Sequence, residues 1–236
     1  MIYPMGPAEA VAVPFDATHY ADGLMRQLAD ALQDTEVHTC VASGEIEDAL
    51  PDLIAQNAVD WIVLGTHGRS GIRKFLLGSV AEQILRVTHV PALTLGPHIL
   101  SGNVPEVELK KILCVVDFSS QGERALAYAF SLAQEYQSRL TLLHVVRGYS
   151  QVPEAERDFL VRKFSRLLRE LAPPEADLWC QPEYVVEMGE HPERTLDSAA
   201  YRGADLIIQS LVPGLSRECA LEVIRHAPCP VLTVHN

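Results

Sequence analysis

The sequence predicts an α/β fold built twice: a complete unit of parallel strands joined by crossover helices, preceded by a partial copy of the same plan. Three observations predict it. Short β-branched runs alternate with longer stretches of helical periodicity, the pattern of parallel strands connected by helices. Matched residues recur along the chain at two constant spacings. The composition is globular: 236 residues, 48% hydrophobic and 21% charged, enough chain for a sizeable core and far from disordered, collagenous or coiled-coil usage.

In the second half, Lys111 to Val116 is an apolar run of strand length, and Gln121 to Tyr136 sets Ala125, Leu126, Ala129, Phe130 and Ala133 on one helical face. Arg139 to Val146 is the next strand. Glu154 to Leu171 is an amphipathic helix stopped by Pro173 and Pro174, because proline has no amide to donate and disfavours helical backbone in the residue before it. Tyr184 to Glu187, Asp205 to Gln209 and Pro230 to Val234 read as strands, with helices at Pro192 to Tyr201 and Glu218 to His226 between them.

The first half repeats the later part of this plan. Gly44, Glu45, Asp60 and Ile62 match Gly189, Glu190, Asp205 and Ile207 at a spacing of 145, while Ala81, Arg86, Pro91, Leu93 and Thr94 match Ala220, Arg225, Pro230, Leu232 and Thr233 at 139. The second copy is therefore six residues shorter between the strand at 62 and the helix at 81. Projected back by 145, Lys110 falls ahead of Met1, so the first copy is expected to lack its first strand, first helix and second strand. A parallel sheet short of strands exposes apolar edge and face that something must cover. The expected division is a partial domain at 1–97, a linker at 98–108 interrupted by Gly102 and Pro105, and a complete domain at 109–236.

Charge narrows the function. Acidic residues number 31 and basic ones 19, a net charge of −12, which repels nucleic-acid backbones and anionic membranes, so neither partner is expected. No apolar run nears the roughly 20 residues of a membrane span and no basic leader follows Met1, which reads as a cytoplasmic protein. Cys40, Cys114, Cys180, Cys219 and Cys229 include no C-x-x-C pair. They read as buried, reduced thiols rather than a metal or redox site.

Trp61 to Glu82 carries the most chemistry. An apolar strand runs into Gly65, Thr66, His67 and Gly68, and after nine residues Gly78 and Ser79 open a helix. Glycines at strand ends allow close backbone approach to a ligand and positive φ. Ser79 followed by Glu82 forms the pattern of a capping box with Ser79 as N-cap, and the amides at such a helix start make an anion site. From Trp61 to Ala81 there are Arg69, Arg73 and Lys74 and no Asp or Glu, a local charge of +3. Two readings stay open: a backbone cradle for phosphate, or a glycine-shaped turn beside a solvated basic face.

Gly65, Thr66, His67, Gly68, nine residues, then Gly78 and Ser79 resembles the ATP-binding signature of universal stress proteins. Val80 to Glu82 and Pro91 to Leu95 resemble that family's closing helix and strand. Val115 to Ser119 and Leu143 to Val145 resemble its first-strand motif and second-strand ending. The resemblance covers nearly the whole chain. It implies two Rossmann-like, three-layer domains of the adenine nucleotide alpha hydrolase type, each with a parallel five-stranded sheet that binds nucleotide at its strand carboxyl ends. By position it implies Gly65, Thr66, His67, Gly68, Arg69, Gly78, Ser79 and Val80 around ribose and phosphates, with ATP as ligand, with or without magnesium. Asp117 would be the adenine-side residue of a degenerate second site. The second copy sets Ser210, Pro213, Arg217 and Glu218 where Gly65, Gly68, Gly78 and Ser79 stand. Proline removes an amide and glutamate repels phosphate, so this copy is not expected to hold ATP in the family manner.

An enzyme is not expected. His67 is available as acid or base but has no carboxylate near it in sequence, and His144 reads as a packed strand residue. His191, His226 and His235 form no metal pair, and Ser70 does not sit in a nucleophile elbow. No catalytic or metal residue is assigned, and any ATP turnover is slow. The expected function is a regulatory ATP-binding module of the stress response, acting through an unidentified protein partner. The alternative is a structural protein whose segments PALTL and PVLTV pair edge to edge, within the chain or in a homodimer.

Overall fold

The computed structural model describes residues 21–236, except 22, 24, 28, 31, 33, 34, 43, 67–76, 97–107, 149–151, 212–214 and 236. The chain forms two compact units, Met1–Val59 and Asp60–Asn236. In the first, helical residues run between Ala21 and Asp30, and helix α1 (Ile46–Gln56) buries Ile46, Leu50 and Ile54 along one stripe. Residues 36–42 are neither helix nor strand.

The second unit is organised by one seven-stranded sheet. Its elements in order are β1 (Ile62–Gly65), α2 (Ser79–Val87), β2 (Ala92–Leu95), β3 (Lys111–Val115), α3 (Ser120–Tyr136), β4 (Arg139–Val146), α4 (Glu154–Leu171), a 3-10 turn (Ala176–Leu178), β5 (Glu183–Met188), α5 (His191–Arg202), β6 (Leu206–Ser210), α6 (Leu215–His226) and β7 (Val231–Val234). The strand order is β1-β2-β7-β6-β3-β4-β5. The second copy supplies five parallel strands, as expected. The first copy adds two more that are parallel to each other, and β2 meets β7 antiparallel, so the sheet as a whole is mixed.

Across this seam Ala92 faces Thr233, Leu93 faces Leu232 and Thr94 faces Val231, and the Thr94 hydroxyl donates to the Val231 carbonyl at 3.0 Å. Leu93 and Leu232 are equivalents in the repeat, so a local two-fold passes between them. The edge-to-edge pairing of the two closing segments is thus made within the chain. The repeat register has a backbone counterpart too: Gly44 and Gly189 both hold positive φ, 129° and 152°, where a side chain is strained.

Apolar strands explain the two layers that cover the sheet. On one face Ile112, Cys114, Leu140, Leu142 and Ile208 pack with Ala125, Ala129 and Phe130 of α3 and Leu168 of α4. On the other, Leu113, Val115, Leu143 and Ile207 pack with Ala81 and Leu85 of α2, Ala199 of α5, and Leu221 and Ile224 of α6. Residues alternate between these faces along each strand, the period of a pleated sheet. Among the thiols, Cys114, Cys180 and Cys229 are buried as expected, Cys219 is half-buried and Cys40 is exposed. Among the described residues no helix is long and apolar enough to cross a membrane.

Candidate functional site

The first copy brings the ends of its glycine loop together. Thr66, 2% exposed, donates to the Leu95 carbonyl from its amide at 3.0 Å and from its hydroxyl at 3.2 Å. The Gly78 amide in turn donates to the Thr66 carbonyl at 2.9 Å. The end of β1 and the start of α2 are therefore clamped to one another and to β2. Gly65 ends β1 exposed, Ser79 is exposed and Val80 half-buried. His67, Gly68 and Arg69 lie outside the described residues, as do Arg73 and Lys74.

The capping box read at Ser79 is not formed. Gly78 is the N-cap, Ser79 is the first helical residue, and no side chain caps the helix. Glu82 bonds Arg86 at 2.9 Å and lies 3.8 Å from Arg225, so two guanidiniums draw the carboxylate away from the helix start. The first bond of the helix runs from the Glu82 amide to the Gly78 carbonyl at 2.9 Å, and the amides of Ser79, Val80 and Ala81 precede it. Gly78 does not use the positive φ available to glycine: it is extended at φ −62°, ψ 144°. A Cβ placed there would meet the Thr66 carbonyl oxygen at 3.4 Å, an ordinary contact.

The second copy is arranged differently. Asp117 Oδ1 accepts from the Ser119 amide at 2.9 Å and hydroxyl at 2.6 Å, and Oδ2 accepts from the Ser210 hydroxyl at 2.6 Å. Burial alone raises the pKa of this carboxyl, but the bonds from Ser119 and Ser210 outweigh it and hold Asp117 below the usual 3.8. Ser119 also caps α3, accepting from the Gly122 amide at 3.1 Å. A Cβ at 122 would collide with Asp117 Oδ1, so any larger residue there must displace that carboxylate. Ser210 occupies the position of Gly65 in the repeat, and its hydroxyl bonds the Asp117 carboxylate, which remains exposed. The cleft beside it, lined by Asp117, Arg147, His191, Gln209 and Ser210, holds only about 30 Å³. That is room for about one water, against hundreds of cubic ångströms for a nucleotide pocket.

Two histidines border this region. His144 is the packed residue expected, with Nδ1 2.7 Å from the Val116 carbonyl oxygen and its ring against Phe118 and Phe164. His191 is pulled down to about 4, first by burial and then by Arg147, with Asp117 opposing. Among the described residues no group of three His, Cys, Asp or Glu is gathered to hold a metal.

One residue was overlooked in the sequence. At a spacing of 101, Asp16, Thr18, Ala21, Asp22 and Met25 align with Asp117, Ser119, Gly122, Glu123 and Leu126. Ala21 and Met25 are buried, as are Gly122 and Leu126. The signal was the apolar run from Val11 to Phe15 ending in Asp16. It escaped notice because its spacing is neither 145 nor 139. Asp16 itself lies outside the described residues.

Comparison with known proteins places these features. A model of the universal stress protein family matches residues 4–95 and again 108–235. The first match opens well ahead of Gly44, so the family's pattern extends into residues that the repeat arithmetic left out. A universal stress protein of Synechocystis is 41% identical over 51 residues, 22% of this chain and 18% of that protein. Universal stress protein E of Escherichia coli is 33% identical over 104 residues, 40% of this chain and 33% of that protein. The chain thus aligns with a third or less of these two relatives' length. Among solved structures, a universal stress protein from Archaeoglobus fulgidus superposes with a TM-score of 0.71 at 20% identity, covering 100% of this chain and 83% of that one. A protein of unknown function from Pseudomonas aeruginosa gives 0.65 at 15% identity, covering 99% and 90%. Those two likenesses speak to the fold, and the family match over both stretches settles membership: the chain belongs to the universal stress protein family.

Proposed function

We propose that this chain is a regulatory nucleotide-binding protein that holds ATP on the Gly65 to Val80 cradle of its first copy and does not turn it over rapidly. The observation that carries this reading is the glycine at 78. Neither its backbone angles nor its surroundings require glycine, since φ is −62° and an added Cβ makes an ordinary contact. As an N-cap, glycine gains nothing over serine or asparagine. What an absent side chain does provide is open space over the amides of Ser79 and Val80, where a phosphate can approach the positive end of α2.

Equilibrium dialysis against ATP, with and without magnesium, tests the reading. Gly78→Val should lower retention at least tenfold, while Gly78→Ala keeps the fold and reports on the loss of open space alone. Parent-like retention in Gly78→Val overturns the assignment. The alternative, a structural or dimerisation protein in which neither copy binds nucleotide, is compatible with the pairing of β2 with β7 across the copies, and a parent chain that retains no ATP would favour it.

A further inference from the structure

We propose that the cavity at the amino ends of β3 and β4 binds a small planar anion, an aromatic ring that bears a phosphate or a carboxylate. The cavity measures about 410 Å³, within the roughly 300–1,000 Å³ usual for small-ligand sites. It lies between the turn that ends α3, the starts of β3 and β4, and the segment leaving the 3-10 turn. Two of its lining residues, Ser138 and Cys180, are buried. The place is new. In the second copy it is at the opposite end of the strands from Asp117. The antiparallel seam brings the carboxyl end of β1 to this same end of the sheet, but β1 and β3 are four strand positions apart, roughly 19 Å at about 4.8 Å per strand.

Charge selects an anion. The chain carries −12 overall, yet among the described residues the lining includes Lys110, Lys111 and Arg139 and no Asp or Glu. Lys111 is already engaged, its ammonium donating to the Arg202 carbonyl at 3.0 Å. Lys110 pairs with Glu108, but their side chains are 69% and 63% exposed, and a surface pair of that kind holds its partners weakly. The Arg139 guanidinium makes no ion pair or side-chain hydrogen bond among the described residues. Of the other nearby carboxylates, Asp205 Oδ2 is taken by the amides of Lys110 and Lys111, and Asp177 stands on the 3-10 turn outside the lining. Two cations are thus available to one anionic group.

The wall selects a ring. Trp179 is half-buried and meets Phe130 edge-on, with centroids 5.9 Å apart and planes at 87°. It offers a fixed aromatic surface for stacking, and Leu178, 84% exposed, extends the apolar wall. Gln137 and Gln181 also line the cavity, and both hold left-handed backbone, at φ 51° and 43°. Glycine or asparagine is favoured in that conformation. Neither glutamine amide bonds another side chain or carbonyl among the described residues. A longer amide at each of these positions supplies donors to the oxygens of the anion.

Phenyl phosphate and benzoate are the probes, titrated into the full chain by calorimetry and into Trp61→Phe by fluorescence, since that variant leaves Trp179 as the one tryptophan of the chain. One saturable site and quenching of Trp179 are expected with at least one of the two probes, and the tighter one identifies the anionic group. Inorganic phosphate and phenol should each bind at least tenfold more weakly than that probe. Lys110→Gln combined with Arg139→Gln changes two exposed side chains; it should weaken the probe at least tenfold while Tm and ATP retention stay as in the parent. Gln181→Gly relieves left-handed backbone, so it should raise Tm and still weaken the probe, which separates binding from folding. Gly78→Val should titrate like the parent, so failure of this site is distinguishable from failure of the ATP reading. No saturable uptake of either probe at millimolar concentration overturns the proposal. So does inorganic phosphate binding as tightly as phenyl phosphate, or parent-like affinity in the double variant.

Discussion

Lowering the pH from 7 to 5 should destabilise this protein through two of its histidines. His235 is buried and His191 half-buried, and loss of solvent pulls both down from 6.5 to about 4, His191 next by Arg147 and His235 next by Arg217 and His89. Each stays neutral in the folded chain, whereas the unfolded chain takes up a proton near 6.5. Their contribution to stability is therefore complete above 6.5 and drains away as the pH falls toward 4. At pH 5 the unfolded form holds nearly one extra proton per histidine, a loss of about 2 kcal/mol each. Two such losses, about 4 kcal/mol, are a large share of the roughly 5–15 kcal/mol that separates most folded domains from unfolding. His144, also lowered by burial, acts in the same direction. Asp117 is held below 3.8 and loses its contribution only at lower pH, outside this window. Urea unfolding followed by tryptophan fluorescence at pH 7, 6 and 5 measures the effect, and His235→Phe should remove about half of the slope whatever it does to stability at pH 7. Stability that is flat between pH 7 and 5, or a slope unchanged in His235→Phe, refutes the claim that burial keeps these rings neutral.

Other perturbations follow from single contacts. Asp205 Oδ2 accepts from the amides of Lys110 and Lys111 at 2.9 and 2.8 Å; Asp205→Ala should cost about 1–3 kcal/mol in the same urea assay by stranding the start of β3, and an unchanged midpoint would mean water replaces it fully. Gly122→Ala should push the Asp117 carboxylate off the Ser119 hydroxyl and raise its pKa toward 3.8, read by carbon NMR of that carboxyl; an unmoved pKa would show that the helix gives way instead. A thiol reagent should modify exposed Cys40 at once and half-buried Cys219 more slowly, while Cys114 and Cys229, pushed up by burial to about 12, and Cys180, pushed up to about 11, react only on unfolding. Rapid labelling in a Cys40→Ser, Cys219→Ser variant would contradict the burial.

Strand and helix identities in 109–236 were legible because each element buries a continuous apolar face, and Glu154–Leu171 and Arg139–Val146 agree with the sequence boundaries to the residue. The 3-10 turn at Ala176–Leu178 was not, since three residues after a double proline carry no periodicity. The capping box failed for an energetic reason the sequence hides: the carboxylate of Glu82 had a choice between a backbone amide and two guanidiniums, one of them, Arg225, far off in sequence. The bond between Ser210 and Asp117 was equally hidden. Ser210 was recognised as a replacement for Gly65, but that its hydroxyl reaches a carboxylate 93 positions away follows only from β3 and β6 being neighbours in the sheet. A cavity such as the one beside Trp179 cannot be read from sequence at all, because it is defined by what surrounds it.

The order of strands gives the second copy a role that its closed cleft does not. Two four-residue strands are too small to stand as a sheet in water, yet β1 leads into the glycine loop and β2 holds the end of it through Thr66. Pairing β2 with β7 extends the five-stranded sheet instead of leaving that strand pair alone, and it covers two apolar edges with one set of bonds. Leu93 and Leu232, equivalent by repeat, face each other across the seam and pack against the same core. Above the seam, Glu82 and the Arg86 carbonyl of α2 are held by Arg225 and Arg217 of α6. Helix α2 is thus fixed at its far end by the second copy. Where the first copy has Gly65 and Gly78 the second has Ser210 and Arg217, and both side chains bond across to other elements, one to Asp117 and one to α2.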